Sequence, residues 1–158
     1  MRRLTVSCGI VGIVALGGCS ANWSLDGVSG VVFGIVLNED TVYAGGYSDW
    51  AFLAIQPGMT PQQVRRLIGA PIGENWILTE ENRASCFNVY FENDRVVYGC
   101  EALGIPEGMT ITVVASRLKP HEVVWRYSKS PGDTHYKMRI VEFADGLVTK
   151  VVSGWYLD

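Results

Sequence analysis

The residues of this 158-residue chain best suited to covalent or metal chemistry are four cysteines and two histidines, and their spacing argues against both kinds. Cys86 and Cys100 are 14 positions apart, with no C-x-x-C motif and no histidine close by, so a reactive thiol pair has little support. With those two cysteines paired to each other, a four-ligand zinc set cannot be assembled. His121 follows Lys119-Pro120 and precedes a strand-like run. His135 lies in "SPGDTHY", where Asp133 could orient it as a base, but no nucleophile motif is adjacent and a solvated loop histidine is the simpler assignment. Glu80 and Glu81 are consecutive and point in different directions, unlike the facing carboxylates of glycoside hydrolysis. Ser48 in "GYSDW" lacks the G-x-S-x-G pattern of a nucleophile elbow, and no glycine-rich phosphate loop is present. These residues predict no catalytic group, no metal site and no cofactor: a protein that binds, not an enzyme.

The first twenty residues form a separate object. "MRR" is a short basic region, and "LTVSCGIVGIVALGG" is an uncharged run too short to span a bilayer comfortably. This is secretory-signal anatomy. The run ends in "LGGC", Leu16 to Cys19, which resembles the bacterial lipobox; that resemblance implies cleavage after residue 18 and lipidation of Cys19. The alternative is a plain signal peptide with a chance cysteine. Several acyl chains would anchor the chain stably. Cleavage would remove Arg2 and Arg3, lowering the basic count from 13 to 11 against 16 acidic residues, a mature net charge of about −5. Such a charge argues against nucleic acid and against electrostatic docking on anionic lipid. In the oxidising compartment this export implies, Cys86 and Cys100 are expected to form a disulfide. They flank "FNVYFENDRVVYG", two strand-like runs around "END", and an odd-numbered turn centred on Asn93 would set them opposite each other. Two free buried thiols are the alternative.

What positions these residues is a phrase written twice. "GMTPQQVRRLIGAP", Gly58 to Pro71, has a T-x-x-Q capping box at Thr60 and Gln63, Pro61 at the first helical position, and an apolar stripe of Val64, Leu67 and Ile68. Gly69 and Pro71 end it. A helix is expected over 61–68. A second short helix is expected upstream, capped by Ser48 or Asp49, with Trp50, Leu53 and Ala54 on one side. Helices of two turns are unstable alone, so Trp76 to Leu78, "SCFNVYFE" (Phe87, Val89 and Phe91 on one face) and "RVVYGC" are predicted as three antiparallel strands that cover them. A weaker copy, "GMTITVVASRLKP", runs from Gly108 to Pro120, followed by Trp125 and "RIVEFADGLVTKV" at a spacing of 49 to 52 residues. Its Ile111, Thr112, Val113 and Val114 favour strand locally; the repeat favours helix, and helix is the expectation. "EVVWRYS", "YKMRIVEF" and "LVTKVVSGWYL" read as strands around an Ala144-Asp145-Gly146 turn. Residues 20–47 fit neither copy, and a hairpin packed on the first unit is expected there, with a flexible tether as the alternative for residues 20–27.

The run from Gly58 to Pro71, then Trp76, then "VYFENDRVV", resembles the BamE (SmpA/OmlA) family of small outer-membrane lipoproteins, whose fold is two helices on a three-stranded antiparallel sheet. Tandem copies also resemble the β-lactamase inhibitory protein. The implied organisation is a signal peptide (1–18), a tether and hairpin (19–47), a first unit (48–101) and a second, divergent unit (102–158), in an α+β fold. The resemblance implies a lipid-anchored, periplasm-facing protein of the outer membrane. Its partners would be the membrane, through its N-terminal lipid, and another envelope protein whose assembly or stability it supports; inhibition of a periplasmic or secreted enzyme is the alternative. Trp125, Tyr127, Trp155 and Tyr156 are the candidate aromatic anchors. Core placement is the competing expectation for Trp125, as it is for Trp76.

Overall fold

The structure, a computed structural model, describes residues 40–83, 85–132 and 135–156. These form a mixed α+β fold. In chain order come strand β1 (Val42–Tyr43), helix α1 (Asp49–Leu53), helix α2 (Pro61–Ile68), β2 (Gly73–Ile77), helix α3 (Glu80–Arg83), β3 (Asn88–Glu92), β4 (Arg95–Tyr98), a 3-10 turn (Glu101–Leu103), helix α4 (Ile111–Arg117), β5 (Glu122–Arg126), β6 (Ser128–Lys129), β7 (Tyr136–Ala144) and β8 (Leu147–Tyr156). Six strands make one antiparallel sheet in the order β4-β3-β2-β5-β7-β8, and β1 pairs with β6 in a two-stranded ribbon. The order is palindromic: β2 and β5 join at the middle, with Gly73 opposite Arg126 and Ile77 opposite Glu122.

Helix α2 starts as its sequence dictates. The Thr60 N–H donates to Gln63 Oε1 at 2.8 Å and the Gln63 N–H to Thr60 Oγ1 at 3.3 Å, closing the capping box. Its last carbonyls end at Gly69, at φ 83°. Helix α4 forms despite its β-branched residues. Its Val114 is fully buried in a core with Trp76, Leu78, Val89, Phe91 and Val96, so tertiary packing overrides local propensity.

The packing departs from expectation in a systematic way. Val64 and Ile68 of α2 and Phe52 of α1 sit in a core with Trp125, Val141, Phe143 and Val148, on the strands of the second sequence copy. Helix α4 of the second copy packs on β2, β3 and β4 of the first. Each helix is thus lent to strands distant from it in the chain, α2 to β5, β7 and β8, and α4 to β2, β3 and β4. The N-terminal hairpin expected over residues 20–47 falls largely outside the described residues; of that stretch, β1 pairs with β6, Val42 opposite Lys129.

Several local expectations also change. The inner face of α1 carries Asp49 and Phe52, whereas Trp50 is 69% exposed and Leu53 45%; Ala54 is exposed too. Leu67 is exposed beside the buried Val64 and Ile68. The first central strand begins earlier than Trp76, at Gly73. Phe87 precedes β3 and is exposed, while Val89 and Phe91 are buried. The β3–β4 turn is the two-residue pair Asn93 and Asp94, both left-handed at φ 49° and 59°, which suits a type I′ hairpin. The extra residue lies in a bulge near Tyr90 and Phe91 instead. Cys86 and Cys100 therefore do not face each other as a ladder pair, yet they are disulfide-bonded with Cα atoms 6.0 Å apart.

Candidate binding site

Strand alternation divides the sheet into two faces. Trp76, Val89, Phe91, Val96, Trp125, Val141, Phe143 and Val148 point toward α1, α2 and α4. The opposite face carries Asn75, Tyr90, Tyr98, Val124, Ile140, Val152 and Tyr156, and none of those three helices packs on it. Tyr98 there is 60% exposed and Tyr156 44%. The Tyr90 ring lies across Gly73, where a Cβ would collide with the phenol. Tyr90 Oη donates to Glu92 Oε1 at 3.1 Å, and the Arg126 guanidinium stands 5.7 Å from the ring centroid. Burial, with the Glu92 charge added, pushes the Tyr90 phenol up to about 12. Lys129 Nζ completes the group, 3.2 Å from Glu92 Oε2. An aromatic surface flanked by matched charges is the composition of a protein-recognition patch.

The expected anchors separate. Trp125 and Tyr127 are 3% and 0% exposed; Tyr127 Oη donates to the Gly69 carbonyl at 3.1 Å. Both belong to the core, so neither offers its ring to a partner. Trp155 stands on the helix side of β8, with Lys137 Nζ 5.3 Å from its ring centroid. Tyr156 alone of the four reaches the open face, where its ring meets Tyr136 at 5.3 Å. The sequence pattern missed Tyr90 and Tyr98, although their positions opposite each other in a hairpin were the available signal.

A second cluster that sequence reasoning missed lies at the sheet's midline on the helix side. Glu74 accepts from Trp76 Nε1 at 2.6 Å and from Arg65 Nη2 at 3.4 Å. Arg65 also covers the Trp125 ring, its guanidinium carbon 4.7 Å from the centroid. Burial raises the Glu74 carboxyl above the usual carboxylate range, opposed by the Trp76 bond and the Arg65 charge. Trp125 Nε1 also faces this carboxyl and favours its charged form.

The remaining candidates for chemistry stay apart. His121 Nε2 is 3.7 Å from the exposed Glu122 carboxylate, and the His135 carbonyl accepts from the Asp40 N–H at 3.2 Å. Asp133 and Cys19 lie outside the described residues. Glu80 and Glu81 are exposed on α3, and Ser48 Oγ caps α1 by accepting from the Ala51 N–H at 3.2 Å. Among the described residues, no group of three or more His, Cys, Asp or Glu is placed to hold a metal, and no helix is long and apolar enough to cross a membrane. Comparison with protein-family models, with curated proteins and with solved structures finds no match.

Proposed function

We propose that this chain is a lipid-anchored binding protein of the bacterial outer membrane that faces the periplasm and supports the assembly or stability of another envelope protein. On this reading Cys19 carries the lipid after removal of residues 1–18. Two tandem BamE-like units, 48–101 and 102–158, supply the fold, and no catalysis or cofactor is involved. The tandem organisation is supported by the palindromic strand order and by the reciprocal loan of helices. The observation that carries the binding role is the sheet face on which, among the described residues, α1, α2 and α4 do not pack, and where Tyr90, Tyr98 and Tyr156 stand among the charges of Arg126, Glu92 and Lys129. Function does not follow from such a fold alone, so the partner must be captured. A photo-crosslinking residue at Tyr98 is expected to trap an outer-membrane assembly component in solubilised envelopes, whereas one at Trp50 on the helix side is not. Crosslinks from Trp50 only would overturn the assignment of this face.

Inhibition of a periplasmic or secreted enzyme is the second reading. Burial of Trp125 and Tyr127 removes two of its expected anchors, while the tyrosines of the open face could replace them. Recovery of a soluble enzyme at Tyr98 would favour it. A Cys19→Ser chain that stays in the membrane pellet would sink the anchoring proposal.

A further inference from the structure

The two outer strands of the sheet are finished differently. On β4 the chain that follows closes the edge. The Val96 N–H donates to the Met109 carbonyl at 2.9 Å and the Gly108 N–H to the Val96 carbonyl at 2.8 Å. The Ile111 N–H donates to the Asp94 carbonyl at 2.9 Å, and Cys100 and Ile105 exchange bonds of 2.7 and 2.9 Å. On β8 the matching corner, Gly58 and Met59, covers Val148 alone. Beyond it, residues 150–156 run along the outside of the sheet with no strand next to them among the described residues. Their outward groups can be assigned. The Arg139 carbonyl accepts from the Tyr127 N–H, so Arg139 turns its main chain toward β5. In an antiparallel ladder the residue opposite, Ser153, then turns its N–H and C=O away from β7, as does Val151 two places earlier. Among the described residues, neither makes a main-chain hydrogen bond on that side. An open edge of this kind is a template for another strand.

We propose that β8 pairs antiparallel with β8 of a second copy of this chain, about a two-fold axis at Ser153, and so joins two six-stranded sheets into one. Three observations choose this occupant and this register. The corner at Gly58 and Met59 already fills the edge at Val148, so an incoming β8 must end short of it. The longest self-pairing that does so sets Ser153 opposite Ser153, Val152 opposite Gly154 and Lys150 opposite Tyr156. The side chains then match. Val151 meets Trp155 on the helix side, a β-branched residue against an aromatic one, and Lys150 meets the Tyr156 ring on the open side. The charges agree as well: Lys150 is the sole charged residue in 149–156, and this register holds it roughly 20 Å from its twin. A single strand pair covers less than the about 1,200 Å² of a stable interface, so the dimer is weak, with a dissociation constant on the order of 100 µM. The contact uses the main chain of one sheet edge and does not depend on the envelope role.

The test is disulfide trapping of the full chain in detergent micelles, beside the unsubstituted parent. Ser153 is exposed. Across the axis its two Cα atoms would stand about 5.5 Å apart, inside the roughly 4.4–6.8 Å that a disulfide spans. Ser153→Cys is therefore expected to oxidise to a covalent dimer. Lys150→Cys and Tyr156→Cys chains are each expected to stay monomeric alone and to crosslink to one another when mixed. Ser153→Pro removes an outward N–H and no bond to β7. It is expected to keep the fold and to lose the reversible dimer that sedimentation shows for the parent above its dissociation constant. Four results would each overturn the proposal. The first is no Ser153→Cys dimer. The second is Lys150→Cys joining itself as readily as Ser153→Cys does, which would mark chance encounter within micelles. The third is a parent dimer that Ser153→Pro leaves intact. The last is Ser153→Cys trapped in solubilised envelopes on a different polypeptide and never on its own kind, which would assign the edge to another chain.

Discussion

The Val148 N–H donates to the Met59 carbonyl at 2.8 Å, and the Gly58 N–H returns a bond of the same length to the Val148 carbonyl. The same exchange recurs between Val96 and the pair Gly108 and Met109, at 2.9 and 2.8 Å. Each glycine-methionine corner is thus sewn to the last strand of the other sequence copy. The backbone and the cores tell one story: residues up to Ile72 close on the strands after His121, and α4 closes on the strands before it.

That arrangement predicts where damage travels. Val64→Ala, at a fully buried position, should cost about 2 kcal/mol and should speed amide exchange in β7 and β8 before β3 and β4. Val114→Ala should do the reverse. Native-state hydrogen exchange reads both; protection lost from β3 and β4 in the Val64→Ala chain would contradict the loan of helices.

Glu74 should give the chain a pH signature. Its folded carboxyl sits above the usual 4.5 because burial disfavours the charge. Over the window above 4.5 the folded state holds more proton than the unfolded, so this group's contribution is present below that value and falls as pH rises through the folded pKa. Denaturant titrations at pH 4 and pH 7 should therefore show the native chain gaining on Glu74→Gln at the lower pH. An identical gap at both would exclude the effect.

The ion pair beneath the start of α1 predicts a larger loss. Arg139 is 0% exposed, with Nε 3.8 Å from Asp49 Oδ1 and 3.0 Å from Tyr47 Oη, which in turn donates to Asp49 Oδ1 at 2.6 Å. Asp49→Ala strands a buried cation and should cost about 3 to 5 kcal/mol. Thermal unfolding of that chain beside Trp50→Ser, expected within about 0.5 kcal/mol of the parent because Trp50 is largely exposed, would separate the buried from the solvated face of one helix.

Cys86 and Cys100 close a loop with a sequence separation of 14. Replacing both with serine should lower stability by about 3 kcal/mol, and reductant should affect the parent but leave the double variant unchanged.

How far the sequence could be read depended on how local each cause was. The capping box at Thr60 and Gln63, the two-residue turn at Asp145 and Gly146, and the strands after Glu122 follow from neighbours in the chain. The helix at Ile111–Arg117 was legible only through the repeated phrase, because its own β-branched residues argue for strand. The inner face of α1 was misjudged: hydrophobicity pointed to Trp50 and Leu53, but a carboxylate at Asp49 goes inside when Arg139 awaits it ninety residues later. The tyrosine face and the Glu74 cluster depend on β2 lying beside both β3 and β5, a register that no single segment encodes.

Gly73 sets the contour of the open face at its midline, because the Tyr90 phenol lies down only where position 73 has no side chain. Any larger residue there would lever the ring upright and turn a plateau into a post. The shape offered to a visitor can thus be rewritten by a substitution hidden underneath, one that never touches the visitor itself.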